Sequence, residues 1–148
     1  MLHQDWMRIA LKQAQMAFEQ GEVPIGAVVV YKGQVIAEAH NEKEKRNDPT
    51  AHAEVLVIQR ATEVLGSWRL TDANLYVTLE PCPMCAGAIL QSRLKQLVYG
   101  AADLKGGATG SVMNILDYKL WNHRVDIVAG VLEDECSDIL KRFFKRLR

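Results

Sequence analysis

The opening segment repeats apolar residues at helical spacing. Leu2, Trp6, Ile9, Ala10, Ala14, Ala17 and Phe18 share one face of a 3.6-residue period, and Gly21 supplies a stop. The pattern then shortens. Residues 25–32 and 34–40 are β-rich runs that meet at Lys32-Gly33, which predicts a hairpin. A charged loop, Glu42-Lys43-Glu44-Lys45-Arg46, leads to Asn47-Asp48-Pro49-Thr50. There Asp48 or Thr50 is placed to cap a helix running to about Leu65, with Pro49 in its first turn. Residues 74–79, 96–101 and 124–129 read as further strands, and 83–92 as a helix. A glycine-rich loop at 105–111 opens a short helix. The last helix carries a stripe of Leu132, Cys136, Ile139, Leu140, Phe143 and Leu147 expected to be buried, with basic residues between them. Strands alternating with helices predict an α/β layered domain, one domain over residues 1–148, with mostly parallel pairing after the first hairpin.

Composition adds bounds. Of 148 residues, 49% are hydrophobic and 24% charged, the balance of a globular chain with its own core rather than a disordered one. The longest apolar run, residues 23–31, is far short of the ~20 that a membrane helix needs. The first residues lack the layout of a secretory signal, and three cysteines imply no disulfide framework. A cytoplasmic location with no membrane partner is the expectation. The 18 basic and 18 acidic residues cancel, yet the last eight positions hold five cations and no acid. A basic end on an acidic body suits an anionic partner; a solvated face beside a helix C-terminus is the alternative. Phe144, Lys145 and Arg148 are the tail's candidate contacts to such a partner.

Two short pieces carry chemistry: His52-Ala53-Glu54 and Pro81-Cys82-Pro83-Met84-Cys85. Each falls at an expected helix start. Cys82 and Cys85 are three apart, so both thiols face one way, and a helix N-terminus favours the thiolate. His52 and Glu54 are two apart, about 200° around a regular helix. They share a site only if that site lies beyond the helix end. One imidazole and two thiolates hold Zn²⁺ with its fourth position free, the arrangement of a catalytic rather than a structural site. Zinc makes water a nucleophile near neutral pH, and an unliganded carboxylate beside it, Glu54, can move the proton. The donor set therefore predicts hydrolytic attack on an unsaturated carbon. Cys136, His40 and His123 are candidate fourth ligands; Cys136 sits in an apolar stripe and reads as core.

His-x-Glu followed by Pro-Cys-x-x-Cys is the zinc deaminase signature. Asn41, Asp48-Pro49-Thr50-Ala51-His52-Ala53-Glu54, the Leu75-to-Cys82 run, Met84-Cys85-Ala86-Gly87-Ala88 and Tyr99-Gly100-Ala101-x-Asp103-x-Lys105 carry it further. Over nearly its whole length the chain resembles the bacterial tRNA-specific adenosine deaminases of the cytidine deaminase superfamily. That resemblance implies a three-layer cytidine-deaminase-like fold, a five-stranded mixed sheet flanked by helices on both faces. It implies a homodimer with one Zn²⁺ per subunit on His52, Cys82 and Cys85. It also implies conversion of adenosine to inosine at the wobble position of a tRNA anticodon stem-loop, typically of an arginine tRNA, by zinc-activated water attacking C6 with Glu54 as proton shuttle. Base and pocket contacts fall on Asn41, Ile25 and Ala53, and Asp103 matches a loop residue near the RNA backbone. The likeness thins at residues 42–46, at 118–121 and beyond Phe144. Guanine deaminases share the central motifs, so a free-base deaminase of guanine or cytosine type is one alternative and a non-catalytic zinc-stabilised RNA-binding module another.

Overall fold

Three strands are apolar almost throughout, and the reason is that both faces of the sheet they form are buried. The computed structural model describes residues 1–147. Strands β1 (Gly26–Tyr31), β3 (Ala73–Leu79) and β4 (Gln96–Ala101) send alternate side chains to opposite sides. Ala27, Val29, Leu75, Val77, Leu97 and Tyr99 enter one core, where helices α3 (Ala53–Leu65) and α4 (Pro83–Gln91) add Leu56, Val57, Ile89 and Leu90. Val28, Val30, Tyr76 and Val98 enter a second, closed by Trp6, Met7 and Ala10 of α1 (His3–Glu19) and Cys136 of α5 (Glu133–Arg146). The result is three layers. Cys136 is core, as its stripe position suggests.

The sheet runs β2-β1-β3-β4-β5, with β2 (Gln34–His40) and β5 (Asp126–Val128) at the edges. β1 pairs antiparallel with both β2 and β3, whereas β3–β4 and β4–β5 are parallel. Parallel pairing thus begins one strand later than expected. The hairpin turns at Lys32-Gly33, both at positive φ (50° and 73°), as a tight two-residue turn requires.

Several local expectations need correction. Asp48 and Thr50 do not cap α3. The Asp48 carboxylate accepts the Thr50 backbone N–H (2.8 Å) and hydroxyl (2.7 Å), closing a turn on itself, and the helix starts at Ala53 with His52 as its N-cap. The charged loop contains one helical turn, α2 (Lys43–Arg46), ended by Asn47 at φ 49°. The Glu22 carboxylate holds that turn by accepting the Glu44 and Lys45 N–H groups (3.1 and 2.8 Å). The short helix after the glycine-rich loop reduces to a 3₁₀ turn, Ile115–Asp117, and β5 keeps only three residues. Leu147 is 68% exposed, so the buried stripe of α5 ends at Phe143. Among the described residues no helix is long and apolar enough to cross a membrane.

Gly26 lies where α1 crosses β1. A Cβ there would run into the Ala10 carbonyl oxygen and come within 2.8 Å of Gln13 Cβ. Gly26→Ala should destabilise the fold by about 1–3 kcal/mol, the usual cost of overpacking. The readout is a lower denaturant midpoint at an unchanged m-value.

Candidate active site

Two helices begin at the same place. β3 ends at Leu79, and Glu80-Pro81 leads to Cys82, the N-cap of α4, with Pro83 in the first turn, where its missing N–H costs nothing. His52, in extended conformation (φ −79°, ψ 149°), is the N-cap of α3. The His52 Nδ1 atom lies 3.7 Å from Cys82 Sγ and 3.4 Å from Cys85 Sγ, and the three donor atoms fall within 4.8 Å of one another. A tetrahedral ion with bonds of ~2.3 Å to sulfur and ~2.05 Å to nitrogen needs N···S separations of about 3.6 Å. The observed pair straddles that value, so the donor set fits such an ion. Neither His40 nor His123 joins it. The His40 ring lies 2.7 Å from Gln13 Oε1, and His123 Nε2 lies 2.7 Å from the Leu94 carbonyl.

Glu54 sits one residue into α3. It is 4% exposed, and its Oε1 has no hydrogen-bond partner. Burial pushes the carboxyl up to about 7. An orphaned buried oxygen beside three metal-type donors is what a site for a polar reactant looks like before the reactant enters. The charge at the donors is uneven. A hydrogen bond from Cys85, with one from the His52 ring, holds the Cys82 thiol down near 4 against the burial that opposes it. That bond to Cys82 and burial together raise Cys85, while His52 is raised by its contact with Cys82.

The other residues singled out by sequence fall around this centre in different ways. Asn41 is 3% exposed, and its Oδ1 accepts the Ala53 N–H at 2.7 Å, so it fixes the start of α3. The Ile25 carbonyl accepts the Asn41 N–H (3.1 Å), and Ile25 packs against the core below. Ala53 is fully buried in that core. The Asp103 carboxylate caps its own loop, accepting the Lys105 and Gly106 N–H groups at 3.1 and 3.0 Å. Phe144 is 47% exposed and lines a groove of ≈ 1040 Å³ with Val23, Leu79, Leu104, Leu140 and Lys141. Lys145 is exposed beside Phe144 and Lys141. Arg148 lies outside the described residues.

Sequence reasoning missed Glu80. Only 2% exposed, its carboxylate accepts the N–H groups of Asp103 (3.1 Å), Thr109 (3.1 Å) and Ser111 (3.0 Å) and the Ser111 hydroxyl. Gly107 passes so close that a Cβ would strike this carboxylate. The Ala108 N–H adds a bond to the Pro81 carbonyl (2.9 Å). The glycine-rich loop is therefore tied to the two residues that precede Cys82. The available signal was an acid immediately before Pro-Cys at the end of an apolar strand.

A mixed five-stranded sheet with two helix N-termini and a His/Cys/Cys donor set beyond the carboxyl end of its central strand defines a deaminase of the cytidine-deaminase-like fold. The model of the MafB19-like deaminase family matches residues 1–148. The chain is 54% identical over 143 residues to the tRNA-specific adenosine deaminase of Bacillus subtilis, covering 97% of this chain and 89% of that one. It is 48% identical to the enzyme of that name from Aquifex aeolicus, over 97% of this chain and 94% of the relative. Among solved structures, a deaminase from a study of A-to-I editing by tRNA:A34 deaminases superposes with a TM-score of 0.88 at 48% identity, covering 92% of this chain and 99% of that one. A guanine deaminase of Bacillus subtilis gives 0.66 at 35%, over 81% and 87%. The chain belongs to the family of tRNA-specific adenosine deaminases.

Glu80 supplies a test of the loop clamp. Burial raises its carboxyl, but the Ser111 hydroxyl and the three N–H groups outweigh burial and hold it below the ordinary 4.5. A depressed carboxyl stabilises the fold fully above about pH 4.5 and loses that contribution as acid reaches the folded value. Glu80→Gln should be less stable than wild type at neutral pH. Its unfolding free energy should also decline less steeply below pH 4.5; parallel pH curves would refute the clamp.

Proposed function

We propose that this chain binds one Zn²⁺ per subunit on His52, Cys82 and Cys85 and converts adenosine to inosine at the wobble position of a tRNA anticodon stem-loop. The single observation that carries the chemistry is the buried, unpartnered Glu54 oxygen beside three donors spaced for a tetrahedral ion. The substrate reading rests on relatives 41–54% identical that bear the tRNA-specific adenosine deaminase name. When bound, zinc acts as a Lewis acid that makes water a competent nucleophile at neutral pH. Glu54 takes a proton from the water that adds to C6 and delivers it to N1 of the ring; it then takes the proton of the new C6 hydroxyl and passes it to the departing amine, so adenosine and water become inosine and ammonia. The adenine must leave its neighbours to reach a site at the mouth of two helices, and a single-stranded loop gives it up more cheaply than a duplex. Asn41 and Ile25 border the base, and an arginine tRNA is the bacterial substrate that the family likeness suggests. A cytoplasmic place follows from that substrate.

The active form is proposed to be a homodimer. Large apolar side chains are exposed on α4 and the nearby loops, with Met84 at 37%, Met113 at 46% and Trp121 at 43%. A partner subunit covering them would remove that apolar surface from water.

The tail sorts into two groups. The Arg142 and Arg146 guanidinium groups lie over the Phe18 ring at 5.8 and 5.4 Å, and Arg142 also pairs with Asp138 at 3.0 Å. Lys141 and Phe144 face the large groove, with Lys145 alongside. The first pair braces α5 on α1; on this reading the second group meets RNA, with Asp103 across the groove.

Incubating the protein with an anticodon stem-loop carrying adenosine at the wobble position should yield inosine, and a zinc chelator should abolish it. Glu54→Ala should keep its zinc and lose turnover by at least ~10²–10⁴-fold. Inosine formation by the Glu54 variant at the wild-type rate would remove the proton-shuttle role. For the tail, Lys141→Met with Lys145→Met should flatten the log–log salt dependence of RNA binding by about 0.7 per lost phosphate contact. Arg142→Met should leave that slope alone and lower stability instead.

A further inference from the structure

One buried titratable side chain near the site has no part in the chemistry described so far. His40 is 8% exposed, ends strand β2 and stands outside the His/Cys/Cys donor set. Ala37 and Ala39 enter the core beneath α3, so His40, the next residue along, points to the other face of the sheet, toward α1. There Gln13 fixes its ring. The Gln13 amide N–H donates to the Glu38 carboxylate (3.3 Å), which turns the Gln13 oxygen toward His40 Nδ1 at 2.7 Å. The Gln20 amide, at the C-cap of α1, stands 3.2 Å from Nε2 and, turned end for end, gives that nitrogen an N–H. Burial, with Arg60 and Lys45, keeps the ring below its ordinary 6.5 against the pull of Glu42 and Glu22. The neutral ring then donates from Nδ1 and accepts at Nε2.

The clamp matters because of where β2 ends. It is an edge strand, laddered to β1 on one side only, and Gly26–His40 is its last register pair. Helix α1 crosses β1 at that same glycine, so closely that a Cβ there would come within 2.8 Å of Gln13 Cβ. Past His40 the chain is tied to the segment entering β1 through the Asn41 N–H and the Ile25 carbonyl (3.1 Å). Asn41 then accepts the Ala53 N–H at 2.7 Å, between His52 and Glu54. The route from α1 to Glu54 is therefore short and directly bonded. Hydrogen bonds join Gln13 to His40 and Asn41 to Ala53, and the chain itself joins His40 to Asn41 and Ala53 to Glu54.

We propose that His40 is a positioning residue for the deamination: held by Gln13, it fixes the end of β2, which sets Asn41 against the Ala53 N–H and so aims Glu54. The assignment rests on the wobble-deaminase reading. The ring faces α1 rather than the metal-type donors, so its effect is one of alignment. Misplacing a catalytic group by about 1 Å can cost ~10²-fold in rate. Affinity for a stem-loop comes largely from its phosphates, so a fault at the reacting base falls on kcat rather than on KM.

The test is steady-state inosine formation on the wobble-adenosine stem-loop, expressed per folded, zinc-loaded subunit. His40→Leu fills the space without an N–H, and its kcat should fall about 10–100-fold while KM stays within about three-fold of wild type. Gln13→Met, a change on α1 that keeps helix propensity, should lower kcat in the same way. The two changes together should cost no more than His40→Leu alone, because both remove one bond. His40→Asn, whose amide N–H can stand where Nδ1 does, should recover most of kcat. Gln15→Met, on the exposed face of α1, should leave kcat and KM unchanged. Lower stability with wild-type kcat in both single variants overturns the role, as does a loss confined to KM, additive losses in the double variant or no recovery in His40→Asn. If His40→Leu does not fold, kcat of Gln13→Met decides alone. Wild-type protein that forms no inosine on this stem-loop overturns the wobble reading, whereas normal wild-type turnover with unaltered variants overturns only the positioning role.

Discussion

Two helix N-termini meet beyond the carboxyl end of β3, and each leaves backbone N–H groups unpaired and a partial positive charge at that point. That field favours a thiolate against burial, in the same direction as the Cys85 and His52 hydrogen bonds that hold the Cys82 thiol down. The convergence is not a local accident of the motifs. It requires α3 and α4 to lie side by side on one face of the sheet, which in turn requires β1, β3 and β4 to be apolar on that face. The opposite face has to be covered as well, by α1 and α5, or the continuous valine and leucine runs would be exposed. The layered architecture and the donor set are therefore one constraint seen at two scales.

The polar elements near the site hold its loops in place. Glu80, Glu22 and Glu42 are all nearly buried carboxylates, and each is paired with several donors from neighbouring segments. A buried carboxylate that lost such donors would be costly, which makes each pairing close to obligatory. Glu80 fixes the glycine-rich loop to the strand leading into Cys82; Glu22 and Glu42 fix α2 beside His52. The walls of the site are thus set by three acids that touch none of the metal-type donors. Glu54 stands apart from them: it too is buried, but one oxygen has been left without a partner.

What the sequence revealed and what it hid separate along physical lines. Cys82 and Cys85 were legible because the i, i+3 spacing and the neighbouring prolines act within one helical turn. The requirement that His52 and Glu54 meet beyond a helix end was also local, and His52 is indeed the N-cap. The start of α3 was misjudged because Asp48 and Thr50 are good caps for a helix and equally good at closing a turn on one another. Only the Glu42–Ala51 and Asn41–Ala53 bonds, which join segments roughly ten residues apart, decide between the two. The antiparallel β1–β3 pairing was hidden for a related reason: strand direction is a non-local property, and an apolar run buried on both faces reads alike either way. The Glu80 clamp depends on donors more than twenty residues downstream, so no window of sequence displays it.

Asn41 shows how a structural bond can sharpen recognition. Its carbonyl oxygen is committed to the Ala53 N–H, so the capacity that the side chain keeps toward the site is chiefly that of an N–H donor. On the proposed chemistry, the exocyclic amine of adenine must be protonated and leave. A residue that accepted a hydrogen bond from that amine would hold the leaving group in place and oppose the reaction. A donor can instead grip ring nitrogens or other acceptors on the base edge and orient the ring without touching the amine. On that proposal, pinning Asn41 to the Ala53 N–H, between His52 and Glu54, would leave it a donor for the base edge where an acceptor would work against turnover.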